Sequence, residues 1–228
     1  MQVVTTRNKP KPFAWSYSRL KNFESCPKRH WHLDIQRDIK EEEGEALLWG
    51  NVVHKALADR VAKSVPLPKA MADYEKWAER ILTGGGNILV EQKLAITKDF
   101  AATSWFGDTA WYRGIGDVIK IVGPVALIVD YKTGSNKYPD LKQLQLMALM
   151  TFAHFPEVQT IHAGLLFVMH KHFITDSYTR DRLDDYWKDF WWNLERLHNS
   201  HVTDTWQPNP TPLCGWCPVK TCEYHKEK

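Results

Sequence analysis

No stretch of this 228-residue chain is apolar for the roughly 18 residues that a membrane-spanning helix needs. The opening Met-Gln-Val-Val-Thr-Thr-Arg-Asn-Lys-Pro has no apolar signal region, so secretion is not expected and the cytoplasm of a bacterial or phage-infected cell is. Strong charge of either sign is also missing. A net charge of +3 and a pI near 8.6 are compatible with a nucleic-acid partner but too weak to argue for one. There is no internal repeat and no low-complexity segment. Cysteine is scarce, with four in all. Tryptophan is abundant, with 11, and the hydrophobic fraction of 43% can build one good-sized core.

Punctuation by proline and glycine divides the chain. Residues 1–12 read as a loose basic arm. Ser16 or Ser18 can cap a short helix running to Cys26, where Pro27 interrupts it. A polar stretch from Arg37 leads to a helix over Glu45 to Lys63. Pro66 and Pro68 break the chain before a second helix, Lys69 to Leu82, which ends at Gly84-Gly85-Gly86. Asn87 to Ile96 reads as a strand, and residues 98–113 as a hairpin around Phe106-Gly107-Asp108. Beyond a second hairpin come a helix from Asp140 to His154, a buried strand from Thr160 to Met169, and a long helix from Thr179 to Asn199. The order predicts a mixed α/β sheet flanked by helices. In the last helix Trp187, Phe190, Trp191, Leu194 and Leu197 recur at helical spacing and read as core.

The second hairpin, residues 114–132, carries the chemistry. Gly123-Pro124 is the only turn signal between its two apolar runs, and centring the turn there makes paired positions sum to 247. Asp117 then faces Asp130, and Lys132 points to the same side as Asp130. Opposed carboxylates repel and shift each other's pKa. A sheet tolerates them if a cation sits between them, and two acids plus a lysine are the parts needed to hold a divalent cation and cut a phosphodiester. A salt-bridged edge hairpin is the plainer alternative, against which stand the apolar residues flanking the acids on both faces.

Other residues can join this site. Gly50 and His54 share a helix face, so the glycine permits close approach and the imidazole faces the neighbour. Glu91 is a carboxylate in a mostly apolar strand. Gln143 either completes a capping box with Asp140 or stands at the helix end nearest the acids. Lys137 and Lys142, with Arg19, Lys21, Lys28 and Arg29, are candidates for phosphate contacts. Trp105, Phe106 and Trp111 can stack on bases, although Trp111 reads better as core.

Three cysteines cluster as Cys214-x2-Cys217-x4-Cys222, and Cys26 lies near the other end. In a protein that is not secreted, this spacing favours metal over disulfide: an iron–sulfur cluster or a structural zinc, for which His225 could replace one thiolate, with free thiols as the remaining alternative. Ligation by all four would tie the first helix to the tail.

Taken in order, Ser16-Tyr-Ser-Arg-Leu-Lys-Asn-Phe-Glu-Ser-Cys-Pro-Lys-Arg, Gly50-x3-His54, Glu91, Gly114-x2-Asp117, Asp130-Tyr-Lys132-Thr-Gly, Gln143-Leu and Cys214-Gly-Trp-Cys-Pro ending at Cys222 resemble the RecB-type branch of the PD-(D/E)xK nucleases. The likeness is greatest to the iron–sulfur exonucleases of CRISPR adaptation and to the nuclease domains of bacterial recombination helicases. It implies a restriction-endonuclease-like mixed sheet flanked by helices, with a cysteine-ligated cluster joining the two ends of the chain. It also implies ligation of Mg²⁺ or Mn²⁺ by His54, Asp117 and Asp130, a catalytic Lys132, Glu91 near the site, Gln143 as a motif residue, and a four-cysteine [4Fe–4S] cluster. Two departures stand out: Met147 occupies a position often held by tyrosine, and the last cysteine spacing is one residue short.

The resulting expectation is a single nuclease domain over 1–228. Residues 13–36 and 202–228 form the cluster region, 45–83 a helical cap carrying His54, and 87–170 the nuclease core. The activity expected is metal-dependent exonucleolytic cleavage of single-stranded or end-frayed DNA, in recombination, repair or phage DNA processing. The alternative is a DNA-binding or assembly subunit of a helicase–nuclease or recombination complex with a weak or silent site. An iron–sulfur electron carrier would leave the acids and the lysine without a purpose.

Overall fold

The structure is a computed structural model, and it describes residues 13–41 and 44–226. The expected N-terminal arm lies outside the described residues. Helix α1 (Tyr17–Ser25) starts where the Ser16 hydroxyl accepts the Arg19 amide and stops at Cys26. A short helix α2 (Pro27–His30) follows, and the chain then widens into a π-helical stretch, Trp31–Gln36. Helix α3 (Glu45–Lys63) has the expected bounds and ends on Ser64 in the left-handed region. The next helix is only half α-helical: Lys69–Tyr74 is a 3₁₀ segment and α4 covers Glu75–Leu82.

Strands β1 (Asn87–Ile96), β2 (Ala102–Thr103), β3 (Tyr112–Val122), β4 (Val125–Lys132), β5 (Thr160–Phe167) and β6 (His172–Thr179) form one sheet in the order β2-β1-β3-β4-β5-β6. Helix α5 (Lys142–His154) carries the chain from β4 to β5, the one parallel pair, which a tight turn cannot join. Helix α6 (Leu183–Thr203) closes the fold.

Two apolar layers sandwich the sheet. Trp15, Phe23, Ile119, Ile128, Phe152 and Phe190 belong to a core built with α1, α5 and α6. Val53, Leu57, Ile81, Val118, Val129 and Tyr131 belong to a second core under α3 and α4. Lys120 also points to the second side, buried, with its ammonium donating to the carbonyls of Ile81 and Thr83 at the end of α4. Trp187, Phe190, Leu194 and Leu197 of the expected stripe are buried. Trp191 is half exposed and stacks toward Phe100.

Three expectations needed correction. Residues 98–113 are not a hairpin: Phe100 takes a left-handed conformation, and Ala102–Thr103 and Tyr112–Arg113 each pair with β1 and not with each other. Thr179, expected to open the last helix, instead ends β6, whose other residues read as no element. Its turn uses Lys171 at φ 52 in place of a glycine, and its residues are those of a polar edge strand. α6 therefore starts later, at Leu183.

Near the end of α6, burial and the neighbouring His30 and His198 hold the His201 imidazole down, to about 4. A histidine in the unfolded chain takes its proton near 6.5. The unfolded state thus binds more protons below that pH, and stability present at neutral pH is lost as the pH falls from about 6.5 toward 4. Urea unfolding at pH 7 and pH 5 should show a loss of about 1–2 kcal/mol that His201→Gln removes.

Candidate active site

The β3–β4 ladder runs from Val122↔Val125 to Val118↔Val129, every pair summing to 247 as the turn predicts. It stops one step short of Asp117 and Asp130. There Asp117 Oδ2 accepts the Tyr131 amide at 2.7 Å, a side chain standing in for the next ladder bond.

The β1–β3 ladder carries a flaw at the same level. Its pairs run from Asn87↔Ile121 to Ile96↔Tyr112, but the Glu91–Asp117 step is skipped. Glu91 sits at φ 51, uncommon for a residue with a side chain. The face alternation changes phase across it. On β1, Val90 packs toward α3 and α4, whereas Leu94 and Ile96, an even number of residues on, pack toward α5. On β3, a Cβ on Gly114 or Gly116 would meet Met150 or Met147 of α5, yet Ile119 faces that side too. Each strand uses one residue to change phase, and those residues are the two acids.

Helix α3 brings the imidazole. A Cβ on Gly50 would lie 2.9 Å from Thr133 Oγ1, so this glycine seats α3 against the end of β4. One turn on, His54 Nδ1 stands 3.4 Å from Asp117 Oδ2, with its ring edge-on to Tyr131. Donor atoms of His54, Glu91 and Asp117 all lie within 4.8 Å of one another, the only such three-ligand group among the described residues.

Asp130 stands beside this group. Its Oδ2 is 2.6 Å from Lys132 Nζ, and its Oδ1 accepts from Gln143 Nε2 at 2.7 Å. Gln143 Oε1 in turn accepts from Lys132 Nζ at 2.7 Å, closing a triangle. The capping-box reading of Gln143 therefore fails. Leu141 is the N-cap, Asp140 accepts the Lys142 amide, and the Gln143 side chain turns to the acids.

The electrostatics follow from burial and crowding. Burial pushes the Asp130 carboxyl up, to about 6, with Asp117 adding to the push and Lys132 opposing it. Glu91 is raised by burial first and by Asp117 second. Burial would lower His54, but its hydrogen bond to Asp117 and the charges of Asp117 and Asp130 outweigh that and raise it. A site that raises two of its acids and an imidazole together concentrates negative charge, and a divalent cation relieves such crowding.

The family profile of the PD-(D/E)XK nuclease superfamily matches residues 14–222. The chain belongs to this superfamily. Among solved structures, an exonuclease candidate from Eubacterium rectale superposes with a TM-score of 0.53 at 15% identity, covering 94% of this chain and 90% of that one. SSO0001 is a weaker match, with a TM-score of 0.46 at 11% identity, covering 98% and 91%. No protein of the curated set matches. For a PD-(D/E)XK chain, the hairpin acids and Lys132 lie where β3 and β4 part, and the fold is the mixed six-stranded sheet with helices on both faces.

The remaining candidates fall elsewhere. Lys137 lies against the exposed Tyr138 ring, and the Lys142 ammonium is 5.9 Å from the Phe190 ring centroid. Lys28 pairs with Glu223 and Arg29 with Glu41. Trp111 packs on Trp15 and Trp187 in the core, while Trp105 is half-buried at a surface cleft. Sequence reasoning passed over Arg113, which lies four residues before Asp117 on the same strand. Its position relative to that aspartate was the available signal.

All four cysteines are free thiols lining one cavity of about 470 Å³ between α1, α2 and the tail. The Asn209 amide donates to Cys26 Sγ and the Thr211 amide to Cys214 Sγ, both at 3.3 Å. No three of the thiols come within 4.8 Å of one another. His225 uses Nδ1 on the Cys214 carbonyl. Among the described residues, no helix is long and apolar enough to cross a membrane.

Proposed function

We propose that this chain is a RecB-type, Mg²⁺- or Mn²⁺-dependent deoxyribonuclease that degrades DNA from ends, on single strands or frayed duplex. The observation that carries the reading is the convergence of His54, Glu91 and Asp117 on one point, with the Asp130–Lys132–Gln143 triangle at its side. Imidazole plus carboxylates suits Mn²⁺ at least as well as Mg²⁺. His54, Glu91 and Asp117 would hold the ion, with Asp130 turning in from the triangle. A cation bound there polarises the phosphate and acidifies a water. Lys132 faces the attacking water and offsets charge that builds on the phosphate oxygens. Gln143 fixes the Lys132 ammonium and one oxygen of Asp130, so both enter the reaction already oriented.

The Cys214-x2-Cys217-x4-Cys222 spacing, with Cys26 on the same cavity, suits a [4Fe–4S] cluster, with a structural zinc as the alternative. Four thiolates on one zinc sit about 3.8 Å apart, the edge of a tetrahedron with arms of about 2.3 Å. No three of the thiols here lie within 4.8 Å of one another, so a single ion would require them to close up around it. Such a cluster would join α1 and α2 to the tail. Recombination, repair or phage DNA processing, with a helicase as partner, is the setting this composition fits.

Incubation with linear and with covalently closed circular DNA in Mn²⁺ tests the activity. Linear DNA should be consumed and the circle spared, and Asp117→Ala should lose cutting. Equal cutting by Asp117→Ala and parent would sink the assignment.

A further inference from the structure

An open cleft of about 800 Å³ begins at Gln143 and runs away from the acids. Its floor is an unfinished edge of the sheet. The β4 ladder reaches only Val118, and the next partner on that side is Trp15, whose carbonyl accepts the Arg113 amide at 3.0 Å. Ile115 lies two residues beyond Arg113, so strand alternation turns its amide the same way, into the cleft. The start of α1 forms one wall and the start of α5 another, and Trp105 stands in the lining.

The charges in the lining are not equivalent. Arg19 is paired with Asp34 at 3.7 Å, and Lys21 with Glu24 at 3.2 Å and Asp140 at 3.1 Å. Arg113 has no carboxylate within ion-pair distance among the described residues, and its buried Nε has no hydrogen-bond partner. Its guanidinium lies 5.9 Å from the Trp105 ring centroid, with Lys93 Nζ 5.7 Å from the same ring. A half-buried aromatic ring lining the cleft beside an unneutralised guanidinium matches one nucleotide: a flat base for the indole and an anion for the fork. Four residues of strand separate Arg113 from Asp117, about 13 Å, so the nucleotide held there lies a short way along the strand from the bond being cut.

We propose that this cleft seats unpaired nucleotides next to the scissile phosphate, with Trp105 stacking a base and Arg113 neutralising a phosphate. The pair thereby sets the preference for an unpaired strand. This rests on the nuclease reading above, and it adds the residues that read the state of the strand. A base can stack on Trp105 only when its face is free, which a base inside a stacked duplex does not offer.

The test measures binding in Ca²⁺ with Lys132→Ala as the background, so that no cutting intervenes. Fluorescence anisotropy of a labelled oligothymidylate should show Trp105→Ala weakening binding about 5- to 150-fold, with Trp105→Phe recovering most of the loss. Arg113→Gln should weaken binding and lower the salt-dependence slope by about one. A blunt hairpin duplex should be affected far less. Trp192→Ala, exposed on α6, should bind as the background does. In the cutting-competent protein, both cleft variants should raise KM more than they lower kcat. Parent-like single-strand binding by Trp105→Ala and Arg113→Gln, or equal losses on blunt duplex, overturns the proposal even if the protein cuts DNA. Losses confined to the single strand, in a parent that shows no Mn²⁺-dependent cutting, uphold the cleft and sink only the nuclease reading.

Discussion

Lys132→Ala should lower DNA hydrolysis by about 10²–10³-fold or more while leaving DNA bound. Among the described residues the ammonium is the only cation within ion-pair reach of Asp130, and it is itself held by Gln143. On the proposed mechanism, its removal deletes the positive charge that offsets the reacting phosphate. It also leaves a buried carboxylate with one neutral partner, so its proton should be held still more firmly and its use as a ligand weakened. Lys132→Arg should not rescue the rate, because a planar fork cannot occupy the point held by a compact ammonium between Asp130 and Gln143. Gln143→Ala should cost less, on the order of tenfold, since it loosens the triangle without removing its charge. Single-turnover rates for the three variants, with circular dichroism as the check on folding, give the comparison. A rate for Lys132→Ala within twofold of the parent would remove the lysine from the mechanism.

The second large effect concerns the cysteines. Protein prepared without oxygen should carry iron and sulfide and absorb broadly in the visible, and Cys26→Ala should lose both. Cys26 and Cys214 are far apart in sequence, so a clamp between them closes nearly the whole chain into a loop. By analogy with a long-loop disulfide, its loss removes about 4–5 kcal/mol. For a chain of this length that is a drop in Tm of about 8–20 °C. Other contacts hold the tail too, including Lys28–Glu223 and the Asn209 side chain on the Ser25 carbonyl, so the variant should still fold. Zinc in place of iron would reassign the cofactor. Neither metal, with an unchanged Tm, would leave the cavity without a ligand.

The features that were legible in the sequence are those fixed by local rules. Gly123-Pro124 between two apolar runs could be only one turn, and the turn dictated the register. The bounds of α3 followed from apolar spacing broken by Ser64 and Pro66. What escaped was set by tertiary context. β6 has a turn without glycine and a solvent-facing edge sequence, so nothing local marks it as a strand. Residues 98–113 carry aromatics on both arms, but Phe100 and Trp111 are drawn to α6 and Trp15, while Trp105 lies beside Lys93 and Arg113. Asp140-x-x-Gln143 fits a helix start by pattern, yet two charged groups nearby made a better offer to the amide than the backbone did. Glu91 was read as an acid near the site. Its place beside Asp117 depends on a backbone torsion that no spacing announces.

That torsion limits how this chain can vary. With φ at 51, residue 91 sits where Asn, Asp and Gly are at ease and Val, Ile and Thr are not. Of the other acid side chains only aspartate is available there, a methylene shorter and better suited to the backbone but with less reach toward His54. Exchanges at that point are therefore confined to a handful of residues. Repertoires that avoid beta-branched choices there should yield far more folded protein than those that do not.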